Sequence, residues 1–217
     1  MKFELIKRIL STLILIPITF ILIIKGSFFF NFFILICLLI ALYEWHAMSK
    51  NRRYNIFGHI FLLFSFYSAY LIRNDFEKNS LFVFIFIILT CISTDIGGYV
   101  FGKIFKGPNL TKISPKKTYV GVFGSYFFSV ICIYILFNNS EVITSESLLF
   151  GKDKFLLVLI ISTVSQLGDI TISYFKRLSN IKNTGKLVPG HGGILDRLDG
   201  MIFVFPFYYI SNLLINF

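Results

Sequence analysis

Acidic residues are scarce: 11 Asp and Glu stand against 21 Lys and Arg in 217 residues, and charges of both signs reach only 15%. Soluble domains carry closer to a quarter, so a water-facing globule is excluded. Cysteine is sparse too. Cys37, Cys91 and Cys132 each lie in an apolar run without CxxC spacing or neighbouring ligands, which argues for buried reduced thiols and against a disulfide framework or a cysteine metal site. There is no Ser/Gly linker, internal repeat or low-complexity tail. The net charge of +10 comes without a basic-aromatic surface module, so it does not point to nucleic acid. Three Ala among many Ile, Phe, Lys and Asn suggest an AT-rich genome, so no single one of the 28 Phe carries weight.

What is abundant is apolar length. Hydrophobic residues make up 56%, and seven runs approach the roughly 20 residues needed to cross a bilayer. They are approximately Ile9–Ile24, Phe28–Tyr43, Ile56–Ile72, Leu81–Phe101, Tyr119–Phe137, Phe155–Phe175 and Ile194–Phe217. The fold class expected is therefore all-α: a polytopic integral membrane protein of about seven transmembrane helices. The first run has no small-residue cleavage site and is followed at once by another, so it is read as retained. With seven spans, one set of connections holds 16 of the 21 Lys and Arg, among them Lys103–Lys117 and Lys176–Arg197. The positive-inside rule then puts the N-terminus and both large polar loops in the cytoplasm. Basic loops also suit anionic lipid and phosphate partners. Residues 1–80, poor in polar side chains, read as a scaffold of three helices, with Glu44, Trp45 and His46 marking a span end at the headgroups. Residues 81–217 read as the catalytic region.

Asp95, in "CISTDIGGYVFGK", stands in an apolar stretch where a carboxylate costs several kcal/mol unless paired or hydrated. Gly97 and Gly98 behind it allow close helix approach or a local break. The plain alternative is a span-end cap. In "KIFKGPNLTKISPKKTYVG", Pro115 makes Ser114 an expected N-cap for a helix opening with Lys116 and Lys117, a receptor for phosphate; taken alone, the loop could equally be positive-inside charge. In "SQLGDITISYFKRLSNIKNTGK", Asp169 and Ser173 share a helix face with Lys176 and Arg177 one turn on, the simpler reading being an ion pair of Asp169 with Lys176 or Arg177.

"LVPGHGGILDRLDG" is the densest cluster. Gly190, Gly192 and Gly193 let the main chain come close to a ligand, and His191 can donate or accept. Asp196 and Asp199, three apart, fall on one side of a helix starting there, with Arg197 available to an anion. Oxygen donors of this kind suit Mg²⁺ shared with phosphate rather than zinc, which wants more His or Cys. A solvated loop with a charged helix start is the plain alternative.

These residues resemble the signature of the phosphatidate cytidylyltransferases, which also carries Ser173, Lys176, Arg177, Lys182, Gly185 and Pro189 before Gly190–Gly193 and the Asp196, Arg197, Asp199 triplet. "STDIGGYVFGKIFKG" and "ISPKKT" resemble two further family blocks, so the likeness covers about Leu81 to Met201. Three usual acids are replaced, by Val120, Ile172 and Asn183. The resemblance implies transfer of the cytidylyl group of CTP to phosphatidic acid, giving CDP-diacylglycerol and pyrophosphate in a multi-pass cell-membrane enzyme whose site faces the cytoplasm. It implies Mg²⁺ on Asp169 and Asp196, with Asp95 and Asp199 second in rank, and leaves a further monovalent cation and a homodimer open. Lys176, Arg177, His191 and Arg197 would serve the reaction beside those acids. Ser114, Lys116, Lys117, Thr118, Ser173, Lys182, Gly190, Gly192 and Gly193 would hold substrate.

Two other readings use the same residues. A small multi-pass transporter would employ Asp95 and Asp169 as relay groups but leaves the glycine-rich cluster without a task. A CTP-dependent lipid kinase would move the γ-phosphoryl group instead. A CDP-alcohol phosphatidyltransferase is set aside, because Asp199-Gly200 is followed by Met201, Ile202 and Phe203 and not by the expected Ala-Arg pattern.

Overall fold

The computed structural model describes residues 2–74, 80–111, 114, 117–139, 151–187 and 192–215. They form eight helices: α1 (Lys2–Lys25), α2 (Ser27–Ser49), α3 (Asn55–Asn74), α4 (Ser80–Phe105), α5 (Tyr119–Asn139), α6 (Lys152–Leu178), α7 (Leu195–Leu198) and α8 (Met201–Ile215). The chain is an all-α polytopic membrane protein. Among the described residues five helices, α2 to α6, are long and apolar enough to cross a membrane, and Leu15–Lys25 and Met201–Leu214 are shorter apolar stretches. Large apolar side chains such as Phe57, Phe28 and Leu214 are about three-quarters exposed, as expected where lipid rather than water is the surrounding solvent.

The expected seventh span, Ile194–Phe217, is not one helix. It breaks after the single turn α7, where Asp199 accepts the Gly200 N–H at 3.0 Å. That local bond offers the backbone an alternative to helix continuation. The remaining helix α8 has 15 residues and contains Pro206, giving a length of about 22 Å.

The chain forms two compact units, residues 1–84 with 175–217, and residues 85–174. The sequence division at residue 80 groups the C-terminal cluster with the second half; by contacts that cluster belongs with the N-terminal helices.

In the first unit α1 gives way to α2 at Gly26, with φ of +61°. Arg73 closes the end of α1 by donating twice to the Ile23 carbonyl, at 2.9 and 3.1 Å. The α2–α3 hairpin is locked at its turn. Trp45 donates to the Asn55 carbonyl at 3.0 Å, and Ser49 accepts from Asn55 Nδ2 at 2.7 Å while donating to the Trp45 carbonyl. A Cβ on Gly58 would overlap the Trp45 indole. Phe61 packs on Phe203 and Phe64 on Tyr209 to join α3 to α8, and Phe84 meets Phe30 edge-on while stacking on Phe205.

In the second unit, α4 and α5 meet through small residues. A Cβ on Gly97 would strike the Gly124 carbonyl, and one on Gly98 the Ser125 hydroxyl. Without a hydrophobic drive between helices in lipid, such close backbone approach is what holds them. Hydroxyls add to this seam and tie both helices to α6: Ser125 donates to the Thr94 carbonyl at 2.8 Å, while the Thr94 and Ser162 hydroxyls meet at 3.0 Å and Tyr126 reaches Thr163 at 2.9 Å. α4 is continuous through Gly97 and Gly98, so of the two uses expected for this pair, helix approach is the one observed.

Candidate active site

Within the second unit a cavity of about 270 Å³ is lined by Thr94, Asp95, Gly98, Ser114, Lys117, Thr118 and Asp169, with Tyr99, Gly121, Val122, Ser125 and Gln166 completing the wall. Its residues come from α4, from the loop before α5, from α5 itself and from α6. The loop is shaped by an isolated antiparallel bridge, Asn109 to Thr118, with Leu110 N–H donating to the Lys117 carbonyl at 2.7 Å and Tyr119 N–H to the Pro108 carbonyl at 3.2 Å. Thr118 then caps α5, its hydroxyl accepting the Gly121 N–H at 3.0 Å. This corrects the expected cap. Ser114 was expected to start a helix at Lys116–Lys117, but Thr118 is held in the bridge to Asn109, and the helix opens at Tyr119. Ser114 instead accepts the Lys117 N–H at 3.0 Å through its carbonyl and lies on the cavity wall.

Lys117 faces Asp169 across this cavity, Nζ to Oδ2 at 2.5 Å, both side chains about a quarter exposed. The same ammonium lies 3.5 Å from the Gln166 carbonyl. Ser173, one turn beyond Asp169, donates to its Oδ1 at 3.2 Å, which bears out the shared face. The pair that Asp169 makes is with Lys117, not with Lys176 or Arg177. Arg177 is exposed and donates to the Ile181 carbonyl at 3.3 Å.

The first unit holds a second cluster. Lys176 donates to Asp196 Oδ1 at 2.9 Å, with side-chain exposures of 11% and 6%, so this pair is far less wetted than the first. Asp196 Oδ2 accepts the N–H groups of Thr184 at 2.8 Å and Gly193 at 3.0 Å. Burial pushes the Asp196 carboxyl up, but the hydrogen bond and charge of Lys176 and the two N–H donors outweigh it, and its pKa lies below the ordinary value. Asp199 follows α7 as its C-cap, and Arg197 on α7 is exposed, as is Lys182. Lys116, Gly190 and His191 lie outside the described residues.

The expectation that the glycines admit a ligand meets a nearer reason for them. Gly192 has φ of +94°, and a Cβ there would stand 2.7 Å from Asp196 Oδ2. Cβ atoms on Gly185 and Gly193 would overlap the carboxylate of Glu44. Glu44, on α2, is 1% exposed and accepts from Thr184 Oγ1 at 2.8 Å, Ile194 N–H at 3.0 Å and Leu195 N–H at 2.9 Å. The sequence reading took Glu44 for a headgroup marker. Its signal was the one used for Asp95, an acid embedded in apolar residues. Of the replaced family acids, Ile172 is 2% exposed, so the position is apolar core here, and Asn183 stands beside Gly192.

Divalent-metal donors can be compared with these surroundings. Among the described residues no three His, Cys, Asp or Glu side chains gather as a ready cage. The cavity nevertheless offers Asp95 and Asp169 together with the hydroxyls of Ser114 and Thr118. One or two carboxylates plus hydroxyl, water and phosphate oxygens is the donor set Mg²⁺ takes, and it leaves most of its shell to the substrate. The residues fit the ion.

Asp95 and Asp169 set in apolar helices, with Lys117 and Lys176 each paired to an aspartate, define a membrane protein that keeps charged groups within its fold. Comparison with known proteins narrows the class. The chain matches the model of the cytidylyltransferase family over residues 6–78 and 56–214. It is 32% identical over 211 residues to the phosphatidate cytidylyltransferase of Rickettsia typhi, covering 95% of this chain and 91% of that one. The Rickettsia bellii enzyme of the same name is 32% identical over 97% of this chain and 92% of its own, and that of Staphylococcus epidermidis 33% over 79% and 65%. The chain belongs to the cytidylyltransferase family.

Proposed function

We infer that the chain transfers the cytidylyl group of CTP to phosphatidic acid, releasing pyrophosphate and forming CDP-diacylglycerol for phospholipid synthesis. The observation that carries this reading is the cavity in which Asp95, Asp169, Lys117 and two hydroxyls converge within an apolar helix bundle of this family. In the reaction the lipid phosphate oxygen attacks the α-phosphorus of CTP, one P–O bond forms and the bond to pyrophosphate breaks. No covalent enzyme intermediate is required. The difficulty is electrostatic, because two polyanions must meet and a third must depart.

The chain's own residues answer that difficulty. Lys117 and Lys176 each rest on an aspartate, and each ammonium can pass from its carboxylate to a substrate phosphate. Lys117 moves the more easily, because a partly wetted ion pair is worth only about 1 kcal/mol. In the cavity Asp169 and Asp95 would hold Mg²⁺, while Asp196 and Asp199 on the other unit keep the roles the family resemblance gives them. When bound, the ion supplies Lewis-acid neutralisation of the phosphate oxygens. The hydroxyls of Ser114, Thr118 and Ser173 orient phosphate or hold the acids, while Arg177, Lys182 and Arg197, exposed on their unit, serve as phosphate contacts; Lys116, Gly190 and His191 keep the roles the family resemblance gives them. The Lys and Arg distribution supports a cell-membrane orientation with the N-terminus and both polar loops in the cytoplasm, where CTP is found.

Membranes containing the chain, supplied with phosphatidic acid, Mg²⁺ and CTP labelled in the cytosine ring, should carry label into lipid. Label entering lipid only from the γ-phosphate would instead establish a kinase, and solute flux without nucleotide chemistry a transporter.

A further inference from the structure

We propose that Glu44 is a positioning residue for this reaction: from the second helix it sets the place of Asp196 and Lys176 by holding the Thr184 hydroxyl on one side of the glycine cluster and two backbone N–H groups on the other. The proposal rests on the cytidylyl-transfer reading. A lone carboxylate at 1% exposure costs several kcal/mol, and among the described residues Glu44 forms no ion pair. Its compensation is three hydrogen bonds to an ionised acceptor, the strong kind. All three donors come from the residues flanking the cluster: Thr184 on one side, Ile194 and Leu195 on the other.

The grips on Glu44 and Asp196 are interleaved. Thr184 gives its hydroxyl to Glu44 and its N–H to Asp196. Gly193 gives its N–H to Asp196 while its Cα stands where only a missing side chain lets Glu44 through. Leu195, whose N–H binds Glu44, is fully buried and adjoins Asp196. Glu44 therefore cannot shift without carrying Asp196, and with it the Lys176 ammonium, out of place.

The test is Glu44→Gln, with Thr184→Val and Thr184→Ser, each purified in detergent and assayed with labelled CTP and phosphatidic acid per folded molecule. The side-chain amide that Glu44→Gln introduces would turn a donor toward N–H or O–H donors. Turnover should fall on the order of 10- to 100-fold, the scale of a displacement near 1 Å, with both KM values within about twofold. Thr184→Ser should stay near wild type and Thr184→Val should lose turnover, while Thr184→Val added to Glu44→Gln should cost little more than Glu44→Gln alone. A merely structural role would lower the yield of folded protein and leave kcat per folded molecule alone.

Folded Glu44→Gln with normal kcat overturns the proposal. If Glu44→Gln does not fold, equal kcat in Thr184→Val and Thr184→Ser overturns it. Wild-type protein that carries no cytidine into lipid overturns the functional reading instead. Hydrogen exchange then decides for Glu44: Thr184 and Gly193 amides at least about tenfold faster in Glu44→Gln support it, and unchanged amides refute it.

Discussion

Replacing Asp196 by Asn removes one charge and adds one donor at a place that has no use for it. If the new amide oxygen stays toward Lys176, the NH2 group faces the N–H groups of Thr184 and Gly193; if it turns round, the NH2 meets the ammonium. Lys176 is 9% exposed, so its charge loses its partner with little water to take over. Removing one member of a buried pair costs about 3–5 kcal/mol, and the residual exposure of 11% and 6% lowers that to about 2–4 kcal/mol. Every 1.4 kcal/mol is tenfold, so exchange of the Thr184 and Gly193 amides should rise by roughly 30- to 700-fold. Hydrogen-exchange mass spectrometry on peptides covering residues 180–200 reads this directly, and labelled-CTP incorporation should be abolished while the protein still inserts. Adding Lys176→Met should restore part of the lost protection, because no ammonium is then left unpaired. Near-normal protection and turnover in Asp196→Asn would refute both the buried-pair reasoning and Asp196 as a group the reaction needs.

The pH response follows from the same residue. A carboxyl held below its ordinary pKa stabilises the fold above the unfolded value and loses that contribution as pH falls through the lower, folded one. Exchange around Thr184, corrected for intrinsic rates, should thus stay flat from pH 7 to about 5, and a loss of protection in that range contradicts the assignment. Lys117→Ala should raise the CTP concentration needed for half-maximal incorporation, while unchanged dependence would reduce that loop to a topology signal. Thr118→Val should cost about 1 kcal/mol of α5 stability through its lost cap and Thr118→Ser much less, as thermal unfolding in detergent would show. Gly97→Leu should separate α4 from α5 and destabilise by about 1–3 kcal/mol or more, since a side chain there meets backbone that cannot move aside.

Apolar length was plain in the sequence because a bilayer demands it: among the described residues, five of the seven expected spans correspond to helices long enough to cross, with ends within six residues. Asp169 and Ser173 could be read as neighbours because helical spacing dictates it. The pairing of Lys117 with Asp169 and of Lys176 with Asp196 could not, since both depend on how loops fold back, over separations no periodicity encodes. The break at Asp199–Gly200 was hidden by the apolar residues on either side. Glu44 was missed for the opposite reason: it looked like an interface residue, and its partners lie 140 to 151 positions downstream.

That separation matters while the protein is being made. Ribosomes add about 5–20 residues per second, so after Glu44 has left the ribosome its partners follow only some 7 to 30 s later. Throughout that interval the second helix carries an acid with nothing from its own chain to satisfy it, and water or a proton must stand in.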